Sequence, residues 1–142
     1  MLPKKKLKLK AERLIERFLL EINQFSLKCV ILFGSYAKGN FTEDSDIDLC
    51  VIAEQLPEDE LRRRTLGGFY STPKITAIGF YPQELINFLK KGHCFVYDII
   101  SDGMVVYDDG CFENIKSVYE ECIREFQMIR EANGWRWKKS VR

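Results

Sequence analysis

Residues 30 to 52, VILFGSYAKGNFTEDSDIDLCVI, constrain the fold more than any other stretch of the chain. An apolar run, Val30 to Phe33, meets Gly34-Ser35, and after a ten-residue gap comes Asp46-Ile47-Asp48, which leads into a second apolar run, Leu49 to Ile52. Apolar runs of this length bounded by turn residues read as buried strands. The unit is therefore strand, glycine-serine turn, polar connection, strand. Side chains alternate along a strand, so Asp46 and Asp48 are expected on one face and Ile47, Leu49 and Val51 on the other. Two carboxylates this close raise each other's proton affinity. A divalent cation relieves that conflict. Oxygen ligands suit magnesium, which one or two carboxylates hold together with substrate phosphates. Asp46 and Asp48 are thus the candidate metal ligands.

The turn between the strands has chemistry of its own. Gly34 to Gly39 (GSYAKG) is expected to open a short helix, whose first amides attract phosphate and whose glycine lets the phosphate approach. Ser35 adds a hydroxyl donor. Lys38 either reaches a phosphate or faces solvent. Ser45, in the polar connection 40 to 45, bonds either to backbone or to a carboxylate. Gly34, Ser35 and Lys38 are the candidate phosphate contacts, with Ser45 beside them in the connection. Each signal alone is weak, since a plain tight turn or a solvated D-x-D would look the same. Their combination in one strand-turn-strand unit is stronger.

The remaining elements follow from spacing. Leu7, Ala11, Leu14, Ile15, Phe18, Ile22 and Phe25 repeat at helical intervals and predict a first helix over 7 to 25. Glu58 to Leu66 predicts a helix after Pro57, with Arg62-Arg63-Arg64 on an exposed basic face and Gly67-Gly68 as its stop. Lys74 to Phe80 reads as a third strand, and Pro82 opens a helix to about Lys91 that Gly92 ends. Phe95 to Ile100 (FVYDII) and Met104 to Tyr107 read as two more strands around a Ser101-Asp102-Gly103 turn. Asp108-Asp109-Gly110 are turn-formers rather than metal ligands. A long last helix is expected from about 111 to 133, capped by Gly134. Its seam of Phe112, Ile115, Tyr119, Cys122, Phe126 and Ile129 suits either a partner helix or the domain's own sheet. Trp135 and Trp137 are expected to pack back on the domain.

These elements predict an α/β (α+β) chain, one domain over 1 to 142, with a small mixed sheet of four to five strands flanked by helices. The net charge of +1 gives no general case for nucleic-acid binding. Between Glu43 and Glu60 there are eight acids and no Lys or Arg. The five cysteines form no C-x-x-C pair and His93 is the only histidine, which argues against a zinc site and for reduced thiols in a cytoplasmic setting. No apolar stretch is long enough to span a membrane.

Gly34-Ser35, ten residues, then Asp46-x-Asp48 followed by Leu-x-Val resembles the signature of the DNA-polymerase-beta-like nucleotidyltransferases, and the small size resembles their minimal branch. The resemblance implies the nucleotidyltransferase fold, a Gly-Ser turn that holds a nucleoside triphosphate, and two aspartates on magnesium, with manganese as a substitute. It implies transfer of a nucleoside monophosphate, AMP from ATP, to a protein or small-molecule hydroxyl. It also implies a HEPN-domain protein as partner, in a toxin-antitoxin pair, with a homo-oligomer left open. In that family the third strand carries a third carboxylate, and on its register this chain has Thr76. A threonine cannot offset metal charge, so a second reading is a weakened enzyme that neutralises a HEPN-type toxin by contact. Asp98 or Glu84 would be the acids to compensate. A generic α/β interaction domain is the third reading.

Overall fold

The computed structural model describes residues 3–66 and 74–139. The first helix, α1 (Lys4–Glu21), starts after Pro3, and a short 3-10 turn (Asn23–Phe25) carries the chain into β1 (Leu27–Phe33). Next come α2 (Gly34–Lys38), β2 (Ile47–Ala53), α3 (Glu60–Arg64), β3 (Ile75–Phe80) and α4 (Pro82–Lys90). The chain then forms α5 (Cys94–Asp102), β4 (Met104–Asp108), α6 (Cys111–Phe126) and a hairpin of β5 (Met128–Glu131) and β6 (Gly134–Trp137). The predicted stop at Gly67-Gly68 lies outside the described residues.

Four strands make one mixed sheet in the order β3-β2-β1-β4. β1 runs antiparallel to both β2 and β4, whereas β2 and β3 are parallel, as a crossover through α3 requires. Both central strands are apolar on both sides because both sheet faces are covered. On one face, Leu7, Ala11, Ile15 and Phe18 of α1 pack on Val30, Leu32, Leu49, Val51 and Ala77. The opposite face carries Cys29, Ile31, Cys50, Ile52 and Phe80 and is covered by α4, α5 and α6. The seam of α6 settles on this domain's own sheet: Ile115, Cys122 and Phe126 are buried there, with Phe112 and Tyr119 partly so.

Two expectations are corrected. The FVYDII segment is not a strand but the core of α5. Its run of apolar residues is compatible with either period. Val96, Tyr97, Ile99 and Ile100 are buried while Phe95 is exposed and Asp98 half-buried, which is a helical stripe. Tyr97 fixes the helix by donating its hydroxyl hydrogen to the Leu89 carbonyl at 2.5 Å.

The long last helix does not reach 133. It ends at Phe126, where Gln127 takes the left-handed conformation (φ 51°). The chain then turns back as the β5–β6 hairpin, with Glu131 opposite Gly134 across the tip. Asn133-Gly134 is a hairpin signal rather than a helix cap. The hairpin docks through Met128 and Trp135, and Trp135 donates its indole N–H to Asp98 Oδ1 at 2.8 Å. Trp135 therefore packs back on the fold as expected, while Trp137 stays exposed.

Candidate active site

Strand register assembles the site. Phe33, the last residue of β1, lies opposite Asp48 of β2, and Asp48 lies beside Thr76 of β3. Phe33, Asp48 and Thr76 thus form one row across three strands. Side chains of the row share a face with Cys50, Ile52 and Phe80, the face covered by α4, α5 and α6. Asp46 stands one residue before β2, and its charge acts on Asp48.

The chain turns at the end of this row. Gly34 directly follows Phe33 and has φ +72°, a left-handed conformation that favours glycine. A second constraint points the same way: Asp48 Oδ2 occupies the space a Cβ on Gly34 would fill. Turn and carboxylate are therefore built against each other. The turn opens α2 without any side chain capping its start, so its first amides are left to bond with a ligand or water. Ser35 sits in that first turn. Its carbonyl closes the helix by accepting from the amides of Gly39 at 2.9 Å and Asn40 at 3.2 Å.

Asp48 is half-buried, and burial, then the Asp46 charge, raise its pKa above the ordinary carboxylate value. Among the described residues, neither acid has a hydrogen-bond or ion-pair partner. Two mutually repelling carboxylates without a partner among the described residues, one on β2 and one just before it, have the chemistry of a hard-cation site. Among the described residues no group of three or more His, Cys, Asp or Glu could hold a metal. The donor set therefore fits one divalent ion that takes its other ligands from substrate phosphate and water.

The other sequence candidates are placed differently. Lys38 is exposed at the far end of α2. Ser45 ties the connection to itself: its Oγ accepts from Thr42 N at 2.9 Å and its amide donates to the Thr42 carbonyl at 3.1 Å. Thr76 is exposed beside Asp48. Glu84 and Asp98 are engaged elsewhere. Glu84 pairs with Arg63 at 3.0 Å and Arg64 at 2.9 Å, while Asp98 accepts from Trp135 and pairs with Arg130 at 3.3 Å.

The arginine run is a correction. Arg63 is only 7% exposed. It donates to the carbonyls of Pro57 and Glu58 at 3.2 and 2.6 Å. Arg64 donates to the Gly79 carbonyl and lies over the Phe80 ring. Two of the three guanidinium groups therefore hold α3 against β3 and α4 rather than facing solvent. Sequence reasoning also passed over Phe95, which sits 44% exposed against Phe33. As part of an apparent core strand, it gave no signal of its own.

A mixed sheet that places a Gly-Ser turn over an aspartate row defines a nucleotidyltransferase-type protein. Residues 15–110 match the family described as Polymerase beta, Nucleotidyltransferase, and the chain belongs to that family. A candidate protein adenylyltransferase of Methanocaldococcus jannaschii is 43% identical over 117 residues, covering 77% of this chain and 78% of that protein. The fold is shared with a candidate nucleotidyltransferase from Sulfolobus solfataricus (TM-score 0.56, 16% identity, 75% of this chain and 87% of that one). It is shared too with a chain in the structure of a tri-AMPylated Shewanella oneidensis HEPN toxin in complex with MNT antitoxin (TM-score 0.50, 18% identity, 84% and 87%). Nucleotidyltransferases of this family generally use divalent metals. No helix among the described residues is long and apolar enough to cross a membrane.

Proposed function

We propose that this chain transfers AMP from ATP to a hydroxyl group on a HEPN-domain protein, as the antitoxin of a toxin-antitoxin pair. One observation carries the reading: the unpaired Asp46 and Asp48 carboxylates, with Asp48 pressed into the Gly34 turn. Support for AMP and for a protein acceptor comes from the 43% identical relative, a candidate protein adenylyltransferase. Support for the partner comes from the fold shared with chains in HEPN toxin complexes.

In this reading Gly34 and Ser35 hold the triphosphate through backbone amides and the Ser35 hydroxyl. Asp46 and Asp48 hold magnesium, for which manganese can substitute. The ion, when bound, neutralises phosphate charge and polarises the α-phosphoryl group. The acceptor oxygen forms a bond to the α-phosphorus, the bond from that phosphorus to the bridging oxygen breaks, and pyrophosphate leaves with the electron pair. The hydroxyl proton passes to solvent or to a neighbouring carboxylate. Positioning and charge neutralisation supply most of the acceleration.

A specific observation favours a second reading. Thr76 stands beside Asp48 where a third carboxylate would complete a two-metal site. The ion nearest the attacking hydroxyl would then be held weakly, while the one on the triphosphate survives. Magnesium-nucleotide binding would persist with slow or absent transfer, and the toxin would be neutralised by contact. Mixing the chain with its HEPN partner, with and without magnesium-ATP, and weighing the partner by mass spectrometry separates the two. A gain of one AMP per modified hydroxyl supports transfer. A tight complex without mass gain supports contact. Retention of magnesium-ATP affinity in Asp48→Ala overturns both.

A further inference from the structure

The aromatic pair beside the aspartate row has no role in the reading above. Helix α5 buries Val96, Tyr97, Ile99 and Ile100. Its first turn leaves Phe95 outside the core, 44% exposed. An exposed phenylalanine needs no explanation by itself. This one is set apart by its neighbour. Its ring meets the ring of Phe33 edge-on, centroids 5.7 Å apart and planes at 82°. Phe33 is the residue that precedes Gly34 and lies opposite Asp48. Opposed residues of antiparallel strands sit about 5 Å apart with side chains on one face. The aromatic pair therefore borders the carboxylate on the β1 side, as Thr76 borders it on the β3 side.

In that reading the triphosphate of a bound nucleotide lies along the Gly34–Ser35 turn and its α-phosphate beside Asp46 and Asp48. Of the two sides on which the nucleoside can leave that point, the β1 side carries the Phe33–Phe95 pair and the β3 side carries Thr76. The edge-to-face contact with Phe33 leaves 44% of Phe95 exposed to solvent, area that a planar ring can cover.

We infer that Phe95, backed by Phe33, is the platform on which the base of the bound nucleoside triphosphate stacks. This rests on the nucleotide-binding reading of the Gly34 and Asp48 site. Stacking on a phenyl face needs no hydrogen-bond code and grows with ring overlap, so the platform favours purine over pyrimidine triphosphates.

The test is calorimetric titration of the full chain in magnesium with two probes, ATP and inorganic tripolyphosphate. Tripolyphosphate reports the phosphate and metal site without a base. The wild-type chain should bind ATP more tightly than tripolyphosphate. Phe95→Ala should weaken ATP about tenfold and leave tripolyphosphate within about twofold, whereas Phe95→Trp should hold ATP at least as well as wild type. Phe95→Leu, which keeps apolar bulk against Phe33, should lose ATP affinity nearly as far as Phe95→Ala. The platform is overturned if Phe95→Ala weakens both probes alike or neither, or if Phe95→Leu matches wild type. It is overturned as well if wild type binds tripolyphosphate as tightly as ATP. Wild type binding neither probe is the distinct result that removes the nucleotide-binding reading beneath it.

Discussion

Two charged clusters in this chain share a sheet and meet opposite fates. Around Arg63, Arg64 and Glu84, opposite charges are brought together: Glu84 Oε2 accepts from both guanidinium groups and Oε1 accepts from the Tyr81 amide at 3.2 Å. Around Asp46 and Asp48, like charges are brought together and left without a partner among the described residues. The first cluster seals α3 and α4 against β3. The second keeps two carboxylates apart from any cation among the described residues, at some cost in stability. A fold that pairs its acids in one place and strands them in another reserves the stranded ones for a ligand. Their place at the Gly34 turn is what supports the proposed ligand, a metal-bound polyphosphate.

The widest separation between the clusters should come from deleting one acid in each. On the proposed reading Asp48→Ala removes a metal ligand and should weaken magnesium-ATP binding by more than about 100-fold, several kcal/mol, while the metal-free chain melts no lower than wild type. Titration calorimetry and a thermal melt in chelator read the two halves. Glu84→Ala should do the reverse. It strands the buried Arg63 guanidinium, whose Nε already lacks an acceptor among the described residues. The cost should be about 3 kcal/mol, at the low end for a broken buried pair because Glu84 is partly exposed, with a melting drop of roughly 6–12 °C. Nucleotide affinity below the melt should be unchanged. Loss of ATP binding in Glu84→Ala, measured on folded protein, would erase the distinction.

Gly34→Ala should fall between these. It adds a Cβ where Asp48 Oδ2 lies and forces alanine to φ +72°. About 1–3 kcal/mol of stability should go with the strain, and nucleotide binding should weaken with the displaced carboxylate. A smaller gain is expected from Thr76→Asp. If the missing carboxylate limits transfer, restoring it beside Asp48 should speed metal-dependent AMP incorporation about tenfold or more, roughly 1.4 kcal/mol off the barrier. The same substitution should lower the melting temperature in chelator and raise it with magnesium. An unchanged rate with full nucleotide binding means that Thr76 is not what sets the pace.

The place of Asp48 was legible in the sequence because strand alternation is strict: once Val30–Phe33 and Leu49–Ile52 are strands, Asp48 falls on the face of Cys50 and Ile52, whereas Asp46 stands one residue before β2. The register added what parity cannot give, namely that Thr76 sits level with Asp48. What misled was apolar run length. FVYDII satisfies both periods, and only burial of Val96, Tyr97, Ile99 and Ile100 selects the helix. Helical spacing likewise carried the last helix past Phe126, although Asn133-Gly134 marks a hairpin. The arginine run read as solvated because its acceptors, Gly79 and Glu84, lie 15 and 20 residues downstream of Arg64. Long-range pairing of that kind leaves no local trace.

The smallest effect is also the one that sets the two clusters against each other in a single titration. Burial alone would raise the Glu84 pKa, but its bonds from Arg63 and Arg64 outweigh that and hold it below the ordinary carboxylate value. Between the lowered and the ordinary value the unfolded chain binds more protons. Glu84 therefore contributes stability above the carboxylate range that is lost as pH falls through its folded pKa. Asp48 has the opposite sign. Burial and Asp46 raise its folded pKa, so the folded chain binds more protons, and stability falls as pH rises from the ordinary value through the raised one. In chelator, Asp48→Asn should melt above wild type on the neutral side and converge with it in acid. Glu84→Gln should melt below wild type on the neutral side and also converge in acid. Magnesium with ATP should cancel the advantage of Asp48→Asn by stabilising wild type alone, and leave the Glu84→Gln deficit at least as large. Two melting curves displaced from wild type in the same direction would mean that Asp46 and Asp48 are paired in solution after all, and the stranded site would be lost as an argument for a ligand.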